Sequence, residues 1–470
     1  MLSSIRYHDA MASTESPQTI RGSFPDDFTF GVATSSWQIE GSSATRAESI
    51  WDRFAKIPGA IVDGSSADPA CDHLNRVEED VDLIGQLGVG AYRFSVSWPR
   101  FMPGGTGAAS RSGAGFYDRL IDLLLERGIQ PLLTAYHWDL PQSLQESGGW
   151  LHPDMPHWFA DYCQALGERY GDRVSHIATL NEPWVSAFLG YAAGIHAPGV
   201  VNAGQALEAA YRLMVASGHG VSALRDAGVG NPGIVLNLTT VRSEDPGAEK
   251  ARDHIDRLQN TLFTDLLAGR GVSDEVRRST DILTDWSFVT DEGVEAAATP
   301  ISWLGVNYYT PIRVALPLES DQTAGVGQDT VVYPACPPAS LQPRGPLTTM
   351  GWEVDPKGLR DTLVETAAAL PGLPLWVTEN GAAYADRVLD GDVYDPDRIS
   401  YLSGHLAAAA EAIDEGVPLQ GYCAWSLMDN LEWAEGRTQT FGLVHVDPET
   451  MQRIPKASFH FYADIAKGER

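Results

Sequence analysis

Residues 155–183 read MPHWFADYCQALGERYGDRVSHIATLNEP, and the order of signals in this stretch decides the fold. An amphipathic helix over Met155–Tyr170 stops at Gly171, and an apolar run follows that ends in Asn181-Glu182-Pro183. Glycine suits the left-handed turn that closes a helix, and an unbroken run such as His-Ile-Ala-Thr-Leu reads as a strand buried on both faces. The same sentence recurs along the chain. Arg76–Leu87 stops at Gly88 before AYRFSVSW (91–98), and Tyr117–Arg127 at Gly128 before QPLLTAYHW (130–138). Ala206–Ala227 stops at Gly228 before GIVLNLT (233–239), and Ala407–Glu415 at Gly416 before QGYCAWSLMD (420–429). With FGVATSS (30–36), ISWLGVNYY (301–309) and PLWVTENG (374–381) the strands number eight. Eight β-then-α units predict a single (β/α)8 TIM barrel of the α/β class. The structural rival is a doubly wound open sheet. The barrel is favoured because every strand ends in chemically loaded residues, and barrel strand ends converge on one face. Long βα loops after the first (41–75), fourth (184–204) and sixth (316–349) strands would wall a deep pocket there.

Composition narrows the function classes. The 470 residues include 33 Lys plus Arg against 62 Asp plus Glu, a formal charge of −29. A surface that negative repels phosphate backbones and anionic headgroups, which argues against nucleic acid and membrane partners. No apolar run approaches the ~18–20 residues of a membrane span. Residues 1–21 lack the apolar core of a secretory signal and read as a polar, disordered leader before one catalytic domain at 22–470. Four scattered cysteines without a C-x-x-C spacing offer neither a zinc site nor a disulfide framework, and suit a reducing cytoplasm. Gly228-Val-Gly-Asn-Pro-Gly233 spells G-x-G-x-x-G, but it precedes a strand and contains proline, so it does not cradle a dinucleotide.

Two glutamates carry the chemistry. Glu182 ends the fourth strand and Glu379, in Val-Thr-Glu-Asn-Gly, ends the seventh. A lone glutamate is usually an exposed or ion-paired surface group. Two at barrel-strand ends, each beside an asparagine, are a different matter. Strands ~4.8 Å apart and tilted ~36° give a barrel about 15 Å across. Inward side chains from strands three apart would then bring their carboxyls to about 5 Å, near the ~5–5.5 Å of retaining glycosidases.

At this point the chain resembles glycoside hydrolase family 1, specifically its β-glucosidases, over essentially everything after residue 22. The resemblance rests on FTFGVATSSWQIEGS (28–42), TLNEP (179–183), VTENG (377–381), WSLMDNLEWAEG (425–436) and FGLVHVD (441–447), all in order. It implies a retaining enzyme that removes terminal β-D-glucosyl residues from β-glucosides and short β-linked oligosaccharides, with no metal or organic cofactor. Glu379 resembles the nucleophile and Glu182 the acid/base, with Arg93 and Tyr309 holding the nucleophile. Gln38, His137, Asn181, Glu432 and Trp433 resemble the sugar-hydroxyl ligands, Asn181 toward the 2-hydroxyl, and Trp425 resembles the stacking platform. Trp138, Asn307 and Phe441 resemble further pocket positions and Trp352 the aglycone platform. A cis peptide at Trp425–Ser426 is also implied. The partner is a small-molecule β-glycoside, and homo-oligomerisation is left open.

Two departures stand out: Trp37 where the family usually has Tyr or Phe, and Arg-Thr-Gln-Thr at 437–440 beside the pocket. Galactoside or fucoside cleavage remains a rival reading. A 6-phospho-β-glucosidase would need a phosphate clamp near position 432, where Glu432 would repel the phosphate. A non-catalytic sugar-binding barrel would have lost a carboxylate, and both are present.

Overall fold

The eight apolar runs all form strands in a computed structural model of the chain, which describes residues 15–317 and 331–468. They are β1 (Thr29–Ala33), β2 (Ala91–Ser95), β3 (Gln130–Tyr136), β4 (His176–Asn181), β5 (Asn231–Asn237), β6 (Trp303–Asn307), β7 (Leu375–Asn380) and β8 (Leu419–Trp425). Each pairs in parallel with its neighbours in chain order, and β8 closes on β1 through the register Thr29–Gly421 to Ala33–Trp425. The closed parallel barrel excludes the open sheet.

Two apolar layers follow from the alternation of side chains. The larger lies between barrel and helices, where Val77, Leu120, Leu166 and Leu213 pack against Tyr92, Leu133, Ile177 and Ile234 among others. The smaller fills the barrel itself and includes Ala91, Ala178, Val235, Trp303 and Trp376. Trp303 lies over Gly233 and Trp376 over Gly421, where a Cβ would come within 2.6 Å and 2.3 Å of the indoles. Glycine on one strand thus admits an indole from the next, which fills the barrel below its carboxyl-terminal mouth and leaves the space above it to the site.

Strand register is broken where the glutamates stand. The β4–β5 pairing shifts between Ala178 and Asn181, and β7 shifts against β6 between Val377 and Glu379. Such bulges re-aim side chains next to active sites. Beyond the β7 bulge, Gly381 passes so close to β8 that a Cβ would sit 1.8 Å from the Trp425 carbonyl. The glycine of Val-Thr-Glu-Asn-Gly therefore has a steric reason to be there.

Helices follow the strands as expected, with adjusted ends. Met155–Tyr170 is helical over the expected span, whereas the helix read as Ala407–Glu415 begins at Pro396 and runs to Asp414. Gly88, Gly128, Gly228 and Gly416 all take positive φ. Gly171 does not: at φ −63° it continues the helical geometry and donates to the Gly167 carbonyl. The strand-4 loop is not irregular, because Val185–Ala192 forms a π-helix. Residues 318–330 of the strand-6 loop lie outside the described residues, as do residues 1–14 of the leader. The rest of the leader is ordered. Pro17–Gly22 is a helix capped by Ser16, and Ile20 is fully buried, so an apolar anchor overrides the polar composition.

Candidate active site

A cavity of about 580 Å³ opens at the carboxyl-terminal ends of the barrel strands, and both Glu182 and Glu379 line it. This is within the usual size range of a small-molecule site. Its floor is buried, with Glu379, Trp425 and His137 each under 5% exposed. Its upper walls include half-buried side chains such as Trp352, Met350 and Ile312.

Glu379 is gripped by both oxygens. The Arg93 guanidinium on β2 donates to Oε1 at 2.5 Å, and the Tyr309 hydroxyl donates to Oε2 at 2.5 Å. Burial, then the Glu379 charge, hold the Tyr309 phenol well above its ordinary range, so it stays a donor. Arg93 is itself fixed: its Nη2 donates to Asn181 Oδ1 at 2.6 Å and its Nε to Thr134 at 3.2 Å. Charge-assisted contacts of this kind are stronger than neutral ones.

Asn181 is the hub behind both glutamates. Its Oδ1 accepts from Arg93 and from Asn307 (3.0 Å), so its amide nitrogen must face His137 Nε2 at 3.0 Å. Burial, then Arg93, push the imidazole well below its ordinary range. The neutral ring accepts at Nε2 and therefore carries its proton on Nδ1, which has no partner among the described residues. The Trp138 indole donates to the Asn181 carbonyl at 2.9 Å.

Glu182 has different surroundings. It accepts from Asn307 Nδ2 at 2.5 Å and no cation touches it among the described residues. Burial first, and then the charge of Glu379, raise its carboxyl well above the ordinary range. The Asn307 Oδ1 accepts from Thr378 at 2.7 Å, which keeps the amide nitrogen turned to Glu182. Three non-glycine residues lining the cavity hold left-handed backbone: Trp138 (φ 74°), Glu182 (46°) and Trp433 (49°). Backbone strain of this sort collects at functional sites.

Glu432 is a third carboxyl on the cavity, and its Oε2 is enclosed without a partner among the described residues. Burial, with Glu379 and Glu435 adding repulsion, pushes it up to about 8. Gln38 lies behind it, fully buried, donating to Asn430 (3.0 Å) and the Leu431 carbonyl (2.7 Å) while Ser35 donates to its Oε1. Gln38, Arg93 and Asn181 do not reach the cavity surface; His137, Trp138, Asn307, Tyr309, Trp352, Trp425, Glu432, Trp433 and Phe441 do.

The aromatic residues form two groups. Trp433 packs on Trp138 (4.4 Å between ring centres) and near His137 (5.8 Å), which in turn faces Trp425 at 6.0 Å. Tyr309, Trp352 and Phe441 meet one another at 5.4–6.2 Å on the other side. Trp425–Ser426 is cis. Both departures have structural explanations. Trp37 stacks on Trp433 at 5.5 Å, 8° from parallel, and its N–H donates to Asp52. In 437–440, Arg437 N–H donates to Asp63, Gln439 accepts from Thr349, and Thr440 donates to the Tyr384 carbonyl. The sequence reading did not identify Trp184, Val185, Leu189, Ile195 or Tyr333, which also line the cavity. Their only signal was the length of the fourth and sixth loops. No group of three or more His, Cys, Asp or Glu side chains is arranged for a metal among the described residues.

Comparison with known proteins agrees in extent and in kind. The family model for glycosyl hydrolase family 1 matches residues 20–470. A β-glucosidase of Agrobacterium sp. is 42% identical over 459 residues, covering 96% of this chain and 97% of that protein. β-Glucosidase A of Thermotoga maritima is 40% identical over 454 residues, covering 94% and 98%. The solved structure of the family 1 β-glucosidase from Thermotoga maritima superposes with a TM-score of 0.87 at 39% identity, over 95% of this chain and 98% of that one.

Proposed function

This chain belongs to glycosyl hydrolase family 1, and from that premise we propose how its residues work as a retaining β-glucosidase. It is a glycosidase that removes terminal, non-reducing β-D-glucosyl residues from β-glucosides and short β-linked oligosaccharides. The observation that carries the assignment of roles is the opposite treatment of two carboxyls on one cavity. Glu379 has a guanidinium on one oxygen and a phenol on the other, the surroundings of a carboxylate. Glu182 has burial and a neighbouring negative charge, the surroundings of a carboxylic acid. Environments that push two titratable groups apart assign the acid and the base.

In the first step Glu379 attacks the anomeric carbon, the glycosidic C–O bond breaks, and Glu182 gives its proton to the departing aglycone oxygen. In the second, Glu182 takes a proton from water, the resulting hydroxide attacks the same carbon, and the Glu379 ester bond breaks to restore the carboxylate. Once Glu379 is esterified its charge is gone, so the repulsion that held the proton on Glu182 relaxes when base catalysis is needed. Two inversions give net retention. His137 Nδ1 and Glu432 Oε2, both enclosed and lacking partners among the described residues, are suited to sugar hydroxyls, because an unpaired buried polar atom is costly. Trp433 would complete the glycone set and Trp425 would stack beneath the ring, while Asn181 and Gln38, set behind the cavity surface, would position His137 and the Leu431–Glu432 segment rather than touch the sugar. The four cysteines are all free, which supports our placing the enzyme in a reducing cytoplasm.

The test is stereochemical. Proton NMR of aryl β-D-glucoside hydrolysis should show β-glucose first, with the α-anomer appearing only at the rate of mutarotation. Initial release of α-glucose would overturn the retaining mechanism, and the absence of glucose release would overturn the substrate.

A further inference from the structure

Trp433 lines the cavity, yet its plane is set from behind by a side chain that does not reach the cavity surface. The Trp433 ring stands between two indoles, Trp138 at 4.4 Å and Trp37 at 5.5 Å, the second only 8° from parallel. Trp51 closes one side, 4.7 Å from Trp433 and 5.4 Å from Trp37. Stacked rings tolerate offset and sliding, so a stack holds a plane only where its members are anchored. Each flanking indole is anchored by its N–H: Trp138 donates to the Asn181 carbonyl at 2.9 Å and Trp37 to Asp52 Oδ1 at 3.0 Å. Asp52 is a fixed acceptor. Arg46 grips both its oxygens, and the Ser49 backbone N–H and hydroxyl donate to Oδ2 at 2.8 Å and 2.9 Å. Burial opposes ionisation there, but Arg46 and Ser49 hold the carboxyl below its ordinary range. The backbone that carries Trp433 is held separately, by the Glu432 N–H on the Gly436 carbonyl (2.6 Å) and the Val62 N–H on the Ala434 carbonyl (2.8 Å). Among the described residues nothing accepts from the Trp433 N–H, so it remains a donor on the cavity wall.

We propose that Trp37 is a positioning residue of the sugar site: its bond to Asp52 fixes the plane of Trp433 and thereby aims the Trp433 N–H at one hydroxyl of the glycone. The inference rests on the glucosidase reading of the cavity and names a specificity determinant outside it. An indole carries one N–H at one edge, so a tilt or slide of the ring moves that donor while the apolar faces stay covered. Hydrogen bonds weaken steeply with misalignment. Phenylalanine at position 37 keeps an aromatic face behind Trp433 and loses the anchor. The cost then falls on the bond made by the Trp433 N–H and not on the other hydroxyls. Loosening of the fold, by contrast, would weaken every contact of the sugar together.

The test compares Trp37→Phe with the unaltered enzyme on an aryl β-D-glucoside and its 2-, 3-, 4- and 6-deoxy analogues. For each substrate the ratio of kcat/KM between variant and unaltered enzyme is taken, which cancels the differing intrinsic reactivity of the analogues. Trp433→Phe, run on the same series, marks the hydroxyl that its N–H serves, because its loss shrinks most for the analogue lacking that hydroxyl. We expect Trp37→Phe to lower kcat/KM on the parent glucoside by about two- to tenfold, the range of one neutral hydrogen bond. That loss should shrink most for the same analogue and persist for the other three. Asp52→Asn keeps the indole, weakens its anchor and should give the same pattern; it carries the comparison alone if Trp37→Phe fails to fold. A loss spread evenly over all the analogues, no loss on the parent, or a loss tied to a different hydroxyl from that of Trp433→Phe overturns the inference. A parent glucoside left uncleaved by the unaltered enzyme overturns the glucosidase reading itself.

Discussion

Removing one oxygen from Tyr309 isolates a single contact to Glu379, the proposed nucleophile. In Tyr309→Phe the ring keeps its place, because Trp352 (5.4 Å) and Phe441 (6.2 Å) pack against it and neither contact involves the hydroxyl. What is lost is the 2.5 Å donation to Glu379 Oε2, a hydrogen bond to an ionised group. Such bonds contribute about 1.5–3 kcal/mol, and each 1.36 kcal/mol is tenfold in rate. The loss is felt unequally in the two steps. During glycosylation the carboxylate gives up its charge to the sugar, so the phenol's help fades on the way to the transition state. During deglycosylation the carboxylate is the leaving group and its charge reappears, so the missing donor is felt in full. Deglycosylation should therefore slow by about 10- to 150-fold, with kcat/KM for an activated aryl glucoside changing much less. A lowered kcat with a lowered KM follows when the glycosyl-enzyme accumulates. Rapid-quench kinetics with a dinitrophenyl β-glucoside should show a burst of phenolate, and intact-protein mass spectrometry should find the chain one glucosyl residue heavier. An unchanged kcat, or a raised KM with no burst, would refute the assignment of Tyr309 to the nucleophile's leaving group role.

The remaining predictions concern the carboxyls and the aromatic wall. With azide, Glu379→Gly should yield the α-glucosyl azide, because the anion enters from the vacated nucleophile's side. Glu182→Ala should instead yield the β-azide from substrates with good leaving groups, since azide needs no base; product NMR distinguishes the two, and exchanged products would reverse the roles. Glu432→Gln should shift the basic limb of kcat/KM to lower pH only in the range above about 8 where wild-type Glu432 is ionised and repels Glu182, even as activity falls. The same variant tests stability. Glu432 titrates at about 8 in the fold against an ordinary 4.5, so its favourable contribution is complete below about 4.5 and is lost as pH rises to about 8. Glu432→Gln should therefore gain melting temperature on wild type between those limits, and parallel melting curves from pH 5 to 8 would contradict it. Trp37→Ala should cost about 3–5 kcal/mol in urea denaturation, with Trp37→Tyr recovering most of it if the stack on Trp433 is what matters.

Much of this was legible in the chain because barrel strands write their function at their ends. Asn181, Asn307, Tyr309 and Glu379 each sit at or just beyond a strand terminus, and Arg93 two residues before one, so placing the strands places the residues. Period-two reading fails within the same strands. Ala178 belongs to the barrel interior and Leu180 to the layer outside it, although strict alternation would put both inside. The register shift between Ala178 and Asn181 accounts for the change, and it turns the Asn181 amide to Arg93. No composition signal announces a bulge, since it is set by how β4 and β5 share their hydrogen bonds. The apolar wall at Val185 and Leu189 was hidden for another reason: a π-helix spaces side chains by neither of the periods that a sequence displays.

Gln38 and Asn181 show why a residue's type can be read before its position. Both have the chemistry of a sugar ligand, yet both stand behind the cavity surface with their amides largely engaged. For Asn181 this engagement sets the site's polarity. Arg93 can only donate, so Asn181 Oδ1 must face it, the amide nitrogen must face His137, and the imidazole proton is driven to Nδ1. The same Oδ1 accepts from Asn307, whose nitrogen also reaches Glu182. One amide orientation, fixed by the cation that holds Glu379, thus sets the tautomer of His137 and braces the amide bonded to Glu182. Turning that amide over would put a donor against Arg93 and an acceptor against His137 Nε2, so one amide orientation holds the two carboxyl environments apart.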